Sequence, residues 1–250
     1  MSKAKFLIPQ NSKSNIKNIV AVMSGKGGVG KSTVTALLAS NLAQKGFRVG
    51  ILDADITGPS IPKMFGIKAR AEVSGGFFVL PQSNGIQVMS INFLLEEESS
   101  PVIWRSPLVI KAIKDFWTKS AWGDLDYLLI DLPPGTGDVP LTVMQTIPLK
   151  GMVLVTSPHD VTVMIVKKAV NMVRKVGIPV LALIENMSYF RCPCCGQDTF
   201  IFGESKVKEI ARESGISATA VLPLDGEIAK LEERGEIYQY VLPQDVSRII

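Results

Sequence analysis

The sequence is poor in the residues that build disulfide-bonded, histidine-rich or membrane-spanning proteins. Its 250 residues include 3 cysteines and 1 histidine, and the cysteines all lie between positions 192 and 195. So few cysteines, so closely spaced, exclude a disulfide framework and favour metal or redox chemistry. The longest apolar stretches, such as residues 151–155, have the length of a strand. They fall far short of the roughly 20 residues that a membrane helix needs.

The sequence also lacks a large excess of positive or negative charge. The net charge is +4, from 27 basic and 23 acidic residues, and no segment concentrates enough lysine or arginine to predict a nucleic-acid surface. The C-terminal residues QYVLPQDVSRII are interrupted by Pro243, which argues against a basic amphipathic helix for membrane binding. We therefore expect neither nucleic acid nor a membrane as a partner.

The N-terminal segment MSKAKFLIPQNSKSN has lysines but a single short apolar run, at residues 6–8. That run is too short for the core of a signal peptide, so the sequence predicts a cytoplasmic protein. Four lysines fall within the first 17 residues. We expect residues 1–17 to form a flexible, solvated basic segment ahead of a single domain over residues 18–250.

Short, continuous apolar runs alternate with amphipathic segments of helical length. Continuous apolar character predicts strands that are buried on both faces of a mostly parallel sheet. The predicted strands are residues 19–23, 49–52, 86–91, 127–130, 152–155, 180–184 and 218–222, and the predicted helices are residues 31–45, 107–121, 161–176, 205–214 and 227–234. This alternation predicts an α/β fold with a doubly wound, mostly parallel sheet flanked by helices.

Two stretches interrupt the alternation. Residues 73–91 read as a hairpin that turns at Ser83-Asn84-Gly85. Residues 187–203, MSYFRCPCCGQDTFIFG, form a cysteine-bearing insertion after a core strand. The second stretch is where we expect the metal or redox chemistry.

The residues GKGGVGKS at 25–32 match the phosphate-loop pattern G-x-x-x-x-G-K-[ST] between a predicted strand and a predicted helix. The glycines let backbone N–H groups converge on phosphate oxygens, and the helix N-terminus adds positive potential. We expect Lys31 to neutralise the β- and γ-phosphates and the Ser32 hydroxyl to ligate Mg²⁺. The sequence therefore predicts a site for Mg–ATP built from Gly25, Lys26, Gly27, Gly28, Val29, Gly30, Lys31, Ser32 and Thr33.

Aspartates stand at the carboxyl ends of two predicted strands, where ligands gather in open α/β sheets. Asp53 and Asp55 lie in ILDADITGPS, and Asp131 ends the apolar run of YLLIDLPPGTGD. A carboxylate after such a run is what a Walker B position requires, since it fixes Mg²⁺ through coordinated water. We assign Asp55 and Asp131 to the magnesium site, and leave a capping or turn role open for Asp53.

The cysteines form one C-x-x-C pair, Cys192 and Cys195, with Cys194 inside it. The pair is compatible with a redox dithiol, half of a zinc site or part of an iron–sulfur site. The redox alternative is weaker, because the motif does not open a helix after the first strand. A zinc or cluster site needs about four ligands, so two chains would each have to donate a pair across a two-fold axis. This shortage predicts a homodimer.

GKGGVGKS resembles the deviant Walker A motif of the family that includes MinD, ParA, the nitrogenase iron protein and the arsenite-pump ATPase. The resemblance implies that Lys26 reaches across a dimer interface to the partner's nucleotide. It also implies that Lys26, Lys31 and Asp55 are catalytic, with Asp55 orienting or polarising the attacking water. Around the base, it implies contacts from Asn186, Pro223 and Asp225.

Four segments together resemble the Mrp/ApbC iron–sulfur carrier ATPases from about Asn18 to near the end: NIVAVMSGKGGVGKST, LDADITGPSIPKMFG, WGDLDYLLIDLPPGTGD and ENMSYFRCPCCG. The resemblance implies a homodimer that hydrolyses ATP slowly and holds a [4Fe–4S] cluster between Cys192 and Cys195 of both chains. It implies an upstream cluster scaffold and apo-protein acceptors as partners, with Cys194 dispensable.

Two alternatives stay open at this point. One is an ATPase of spatial organisation, like MinD or ParA, and the other is the same dimer with a structural zinc ion. The chain also departs from the carrier pattern: relatives often have an aspartate where this sequence has Ile165. That departure puts in doubt a salt bridge or nucleotide signalling through the helix predicted at 161–176.

Overall fold

The apolar runs of the sequence become strands and the amphipathic segments become helices in the structure, a computed structural model that describes residues 6–56, 58–95, 106–158 and 163–250. The strands are β1 (Ser14–Ser24), β2 (Val49–Asp53), β3 (Glu72–Ser74), β4 (Phe77–Val79), β5 (Gln82–Ser83), β6 (Ile86–Met89), β7 (Gly123–Asp131), β8 (Gly151–Thr156), β9 (Val180–Arg191), β10 (Asp198–Thr199) and β11 (Ala218–Pro223). The helices are α1 (Lys31–Gln44), α2 (Ile61–Met64), α3 (Ser106–Lys119), α4 (Asp138–Thr146), α5 (Val163–Lys175), α6 (Val207–Glu213) and α7 (Gly226–Arg234). Short 3₁₀ segments lie at Ile91–Leu94, Ile237–Gln239 and Ser247–Ile249.

The main sheet has the order β10-β9-β8-β1-β7-β2-β6-β5, and β11 pairs with β9. The pairs of β1 with β7 and β8, of β2 with β6 and β7, and of β9 with β8 and β11 are all parallel. Among the described strands of this sheet, the short β5 and β10 alone pair in antiparallel orientation. The mostly parallel α/β sheet predicted from the sequence is therefore confirmed.

Helices cover both faces of this sheet. Along β1, Ile19, Ala21 and Met23 belong to one apolar cluster, with residues of α3, α4 and α5. The alternate residues Val20 and Val22 belong to a second cluster, with residues of α1. Both faces of the central strand are thus buried from solvent, which is why its sequence is a continuous apolar run. Within the described ranges, no helix is both long enough and apolar enough to cross a bilayer.

The ordered chain starts earlier than the sequence predicted. Strand β1 begins at Ser14, inside the segment expected to be flexible. Its polar first half is held to β7 by side chains, since Asn15 Nδ2 donates to Asp124 Oδ1 at 2.8 Å. Further upstream, Ile8 N donates to Thr146 O at 2.7 Å and Ile8 O accepts from Trp117 Nε1 at 3.0 Å. The boundary expected at residue 17 is corrected by these contacts; residues 1–5 lie outside the described ranges.

Two local predictions need revision. Residues 73–91 contain two short hairpins, because Gly75-Gly76 joins β3 to β4 and Asn84-Gly85 joins β5 to β6, all four residues having positive φ. Two-residue hairpin turns favour that conformation, and only the second turn was predicted. Helix α4 was missed because it contains Pro140. A proline is tolerated there, in the first turn, where its missing N–H has no helical partner.

Asp126 of β7 ties together the starts of neighbouring strands. Its carboxylate accepts from Lys17 Nζ of β1 at 2.8 Å and from the backbone N of Arg48, just before β2, at 3.0 Å. The Arg48 and Lys17 side chains, in that order of effect, hold the pKa of Asp126 well below its usual range. A lowered folded-state pKa contributes stability above the unfolded pKa, and that stability is lost as the pH falls from about 4 toward the lowered value.

We therefore expect Asp126→Asn to lower the thermal unfolding midpoint by a few degrees at pH 7 and by less at pH 3. The measurement is thermal denaturation followed by circular dichroism across this pH range. Asp115→Asn is the matched control, because Asp115 makes one exposed pair with Lys119 within a single helix. An equal loss of stability by Asp126→Asn at both pH values would contradict the electrostatic account.

Candidate functional site

The phosphate loop connects β1 to α1. It lines a cavity of about 220 Å³ together with Asp55 and Pro134. Ser24 Oγ donates to Lys26 O at 2.9 Å, which anchors the start of the loop. The first turn of α1 borders this space. The N–H groups of a first helical turn have no acceptor within the helix, which is what an anion site requires. Of the residues predicted for phosphate binding, those from 27 to 33 border this cavity, whereas Gly25 and Lys26 do not.

Asp131, at the end of β7, is the centre of a buried polar network. Its Oδ2 atom accepts from Lys31 Nζ at 2.7 Å and from Ser32 Oγ at 2.6 Å. Its Oδ1 atom accepts from Thr35 Oγ1 at 2.7 Å. Asp131 is fully buried and Lys31 is 5% exposed. A buried ion pair is tolerated when its remaining lone pairs are hydrogen-bonded, and this pair meets that condition.

Asp55 follows β2 and borders the cavity, with its Oδ2 atom 3.7 Å from Lys31 Nζ. Asp53 lies in β2 beside Asp131 and is fully buried. It accepts from Ser90 Oγ at 3.1 Å and from the backbone N of Asp55 at 3.2 Å. Burial, followed by the Asp131 carboxylate, raises the pKa of Asp53. The contacts of Asp53 are those of a support for the Asp55 loop, the capping role that the sequence left open.

The oxygen donors Ser32, Asp55 and Asp131 suit Mg²⁺, which prefers hard oxygen ligands. Among the described residues, no group of three or more histidine, cysteine, aspartate or glutamate side chains is placed to hold a metal ion. Mg²⁺ takes one or two protein carboxylates and completes its shell with phosphate oxygens and water. The small number of protein donors therefore fits a magnesium ion that arrives with a nucleotide.

Asn186 braces the phosphate loop. Its side chain is almost fully buried, and Nδ2 donates to Val29 O at 3.0 Å. A Cβ atom on Gly30 would collide with the same amide, so only glycine permits this close approach. The contact of Asn186 with an adenine base stays a prediction.

Pro223 and Asp225, also predicted near the base, line a second cavity of about 280 Å³ with Tyr189 and Tyr240. Asp225 caps α7 by accepting from the backbone N of Glu227 at 2.9 Å. Its other carboxylate oxygen accepts from Tyr240 Oη at 2.8 Å. Asp225 is thus a structural cap at the wall of this cavity, and its part in base binding stays a prediction.

Two contacts of the phosphate loop were not predicted. Thr33 Oγ1 donates to Glu232 Oε1 at 2.6 Å, which joins α1 to α7. Ile165 of α5 packs against Gly25, and a Cβ atom there would collide with the isoleucine. This chain therefore makes an apolar contact between α5 and the start of the loop.

The cysteines lie in the hairpin between β9 and β10. Cys192 N donates to Gln197 O at 2.9 Å, and Gly196 N donates to Cys192 O at 2.8 Å. At the base of the hairpin, Arg191 holds Asp198 through two hydrogen bonds of 2.7 and 2.9 Å. The sulfur atoms are therefore carried by a short, well-braced loop at the end of a core strand.

All three cysteines are free thiols; Cys192 is half-buried and Cys194 and Cys195 are exposed. Hydrogen bonds from the backbone N–H groups of Cys195 and Cys194 lower the pKa of the Cys192 thiol. The thiolate is the form that binds metals. Because the described part of one chain offers no cluster of three or more ligands, this hairpin by itself does not complete a metal site.

Comparison with known proteins gives consistent results. A family profile described as ParA, NUBPL iron-transfer P-loop NTPase, matches residues 15–248. An iron–sulfur cluster carrier protein of Aquifex aeolicus is 49% identical over 223 residues, which are 88% of this chain and 61% of that protein. A protein of the same description from Clostridium perfringens is 45% identical over 245 residues, 94% of this chain and 86% of that protein. The chain thus spans less than two thirds of the Aquifex relative.

Solved structures agree with the fold. A nucleotide-binding protein of Archaeoglobus fulgidus in complex with ADP has a TM-score of 0.81 at 49% identity and covers 90% of this chain and 89% of that chain. The cell-division ATPase MinD of Pyrococcus furiosus has a TM-score of 0.64 at 20% identity, covering 93% and 94%. The MinD similarity shows the fold alone, which is that of a P-loop NTPase.

Proposed function

This chain belongs to the ParA/NUBPL iron-transfer family of P-loop NTPases, and we propose that it is a nucleotide-controlled carrier of iron–sulfur clusters. Two chains hold one [4Fe–4S] cluster between Cys192 and Cys195 of each, receive it from an upstream scaffold and deliver it to apo-proteins in the cytoplasm. The observation that supports this most is the position of the cysteine hairpin. It directly follows β9, the strand whose Asn186 braces the phosphate loop.

Nucleotide binding reorganises the network around Asp131. In the structure, Lys31 and Ser32 both donate to the Oδ2 atom of Asp131. Phosphate and Mg²⁺ compete for these two groups, since a lysine ammonium neutralises phosphate and a serine hydroxyl ligates the metal. Mg²⁺ supplies charge neutralisation for the transferred phosphoryl group. The position of Asp55 at the cavity wall supports a role for it in orienting the attacking water. In this proposal, hydrolysis is slow and regulatory.

Cluster binding uses the exposed end of the molecule. Each chain supplies two thiolates, and a second copy related by a two-fold axis completes the four ligands of a [4Fe–4S] cluster. The lowered pKa of Cys192 favours the thiolate, which is the form that binds metal. Because Cys195 is exposed, thiolates of an acceptor protein can reach the bound cluster and replace Cys195 as ligands. Lys26, reaching to the partner's nucleotide, makes the pairing of the two chains sensitive to ATP.

Anaerobic reconstitution with iron and sulfide tests this proposal. We expect about four iron and four sulfide per two chains and a broad visible absorption. We also expect transfer of the cluster to an apo-enzyme whose activity depends on a [4Fe–4S] centre. A chain that takes up zinc but no iron–sulfur cluster, or a cluster that never leaves for the acceptor, would contradict the carrier function.

A further inference from the structure

Thr35 lies on α1, one turn after Lys31, and is fully buried. Its hydroxyl has two acceptors within reach, the backbone O of Lys31 at 3.0 Å and Asp131 Oδ1 at 2.7 Å. One hydroxyl donates one proton. The carboxylate oxygen is the nearer acceptor and carries charge, and hydrogen bonds to charged groups are the stronger ones. The hydroxyl proton therefore goes to Asp131.

The three donors to Asp131 differ in what nucleotide binding does to them. Lys31 and Ser32 both donate to Oδ2. When Mg–ATP is bound, Lys31 binds phosphate and the Ser32 hydroxyl binds Mg²⁺. Thr35 contacts Oδ1, on the other side of the carboxylate, and does not border the nucleotide cavity. Of the donors found in the described residues, Thr35 is the one that stays with Asp131 when the site is filled.

A hydroxyl that bonds back to its own helix is common and has no bearing on a site. Ser40, on the same helix, shows this ordinary case, since it is buried and donates to Ala36 O at 2.8 Å. Thr35 differs because its nearer partner is a carboxylate on β7, far away in sequence. The contact joins α1 to the strand that ends at the phosphate site.

We propose that Thr35 is a positioning residue for the magnesium site. By holding Oδ1, it keeps Oδ2 of Asp131 directed toward the metal and its water after Lys31 and Ser32 have turned to the nucleotide. Groups that orient a metal-binding carboxylate in this way strongly affect metal affinity. The proposal rests on the Mg–ATP site of the proposed function.

The test is the Mg²⁺ dependence of binding of a fluorescent ADP analogue to the full chain. For Thr35→Val, which keeps the shape and removes the hydroxyl, we expect the half-saturating Mg²⁺ concentration to rise about ten-fold. Thr35→Ser restores the hydroxyl and should stay within about two-fold of the unaltered chain, since the same hydrogen bond is available. Ser40→Ala is the matched control and should leave the Mg²⁺ dependence unchanged. In EDTA, all of these variants should bind the analogue as the unaltered chain does.

Two outcomes overturn the proposal for Thr35. One is an unchanged Mg²⁺ dependence in Thr35→Val, and the other is an equal loss of binding in EDTA, which would mark a purely structural role. The variant Asp131→Asn distinguishes a failure of the Thr35 proposal from a failure of the proposed magnesium site. If Asp131→Asn also leaves the Mg²⁺ dependence unchanged, Asp131 does not serve the metal. Should Thr35→Val fail to fold, Thr35→Ala carries the same comparison.

Discussion

Lys31→Ala is expected to weaken ATP binding by roughly 100-fold, the effect of losing a strong charge-assisted contact to phosphate. Hydrolysis should be lost with it, while reconstitution of the cluster at the cysteine hairpin stays intact. The lysine is almost fully buried against Asp131, so it has no role at the exposed hairpin. Isothermal calorimetry with ATP, together with iron and sulfide content after reconstitution, measures both effects.

The same substitution also changes stability. Removing Lys31 leaves the Asp131 carboxylate buried without its cation, and breaking a buried pair costs about 3–5 kcal/mol. Hydrogen bonds from Ser32 and Thr35 remain and reduce that cost. Circular dichroism must therefore show that Lys31→Ala is folded under the assay conditions. Lys31→Arg keeps the positive charge and serves as a second variant, because the planar guanidinium does not reproduce the compact ammonium.

Lys26→Ala is the matched control for Lys31→Ala within the same loop. It should bind nucleotide in each chain but lose the nucleotide dependence of dimerisation, as measured by light scattering with a non-hydrolysable ATP analogue. Loss of cluster content in Lys31→Ala, in a folded protein, would show that the nucleotide and cluster sites are not separable.

Cys192→Ser and Cys195→Ser should each reduce cluster content from about four iron per two chains to near zero, because each removes two of the four thiolates of the shared cluster. Iron and sulfide assays with visible absorption measure the loss. Nucleotide binding should stay unchanged, since the hairpin does not border the phosphate cavity. The folded state should also be unaffected, because the hairpin is held by backbone hydrogen bonds and by the Arg191–Asp198 pair.

Cys194→Ser is the control for the cysteine substitutions. It removes an exposed thiol from the same hairpin and should retain the full cluster content. Loss of the cluster in Cys194→Ser, with retention in Cys195→Ser, would show that Cys194 is the cluster ligand and that Cys195 is dispensable. Retention of a full cluster in both Cys192→Ser and Cys195→Ser would contradict the shared site.

The strands and the phosphate loop were predictable because their signals are local. The continuous apolar residues of β1 and the eight-residue loop motif can each be recognised from a short stretch of sequence. The contacts of Thr35 and Glu232 were not predictable in this way. Each is a hydroxyl–carboxylate pair between elements that are distant in sequence, and only the packing of α1 against β7 and α7 brings them together.

The N-terminal boundary shows the same limit. Asn15 and Lys17 look like a solvated segment in the sequence, yet they pair with acidic residues of β7 and continue β1. Asn186 illustrates a different case: the contact predicted for it was with the base, and the bond that its amide makes from within β9 to the loop backbone was not predicted. A single sequence shows which polar groups reach the site and does not show what each one bonds.

The strand β9 also carries the backbone from the phosphate loop to the cysteines, from Asn186 to Cys192. This stretch is bent rather than straight, because Met187 has a φ of 56° and the pairing with β11 shifts register between Val221 and Pro223. Beyond the bend, β10 pairs with Phe190 and Arg191 and holds the start of the hairpin. The two sites are therefore joined by a short covalent path that bends once and is held by neighbouring strands on both sides of the bend.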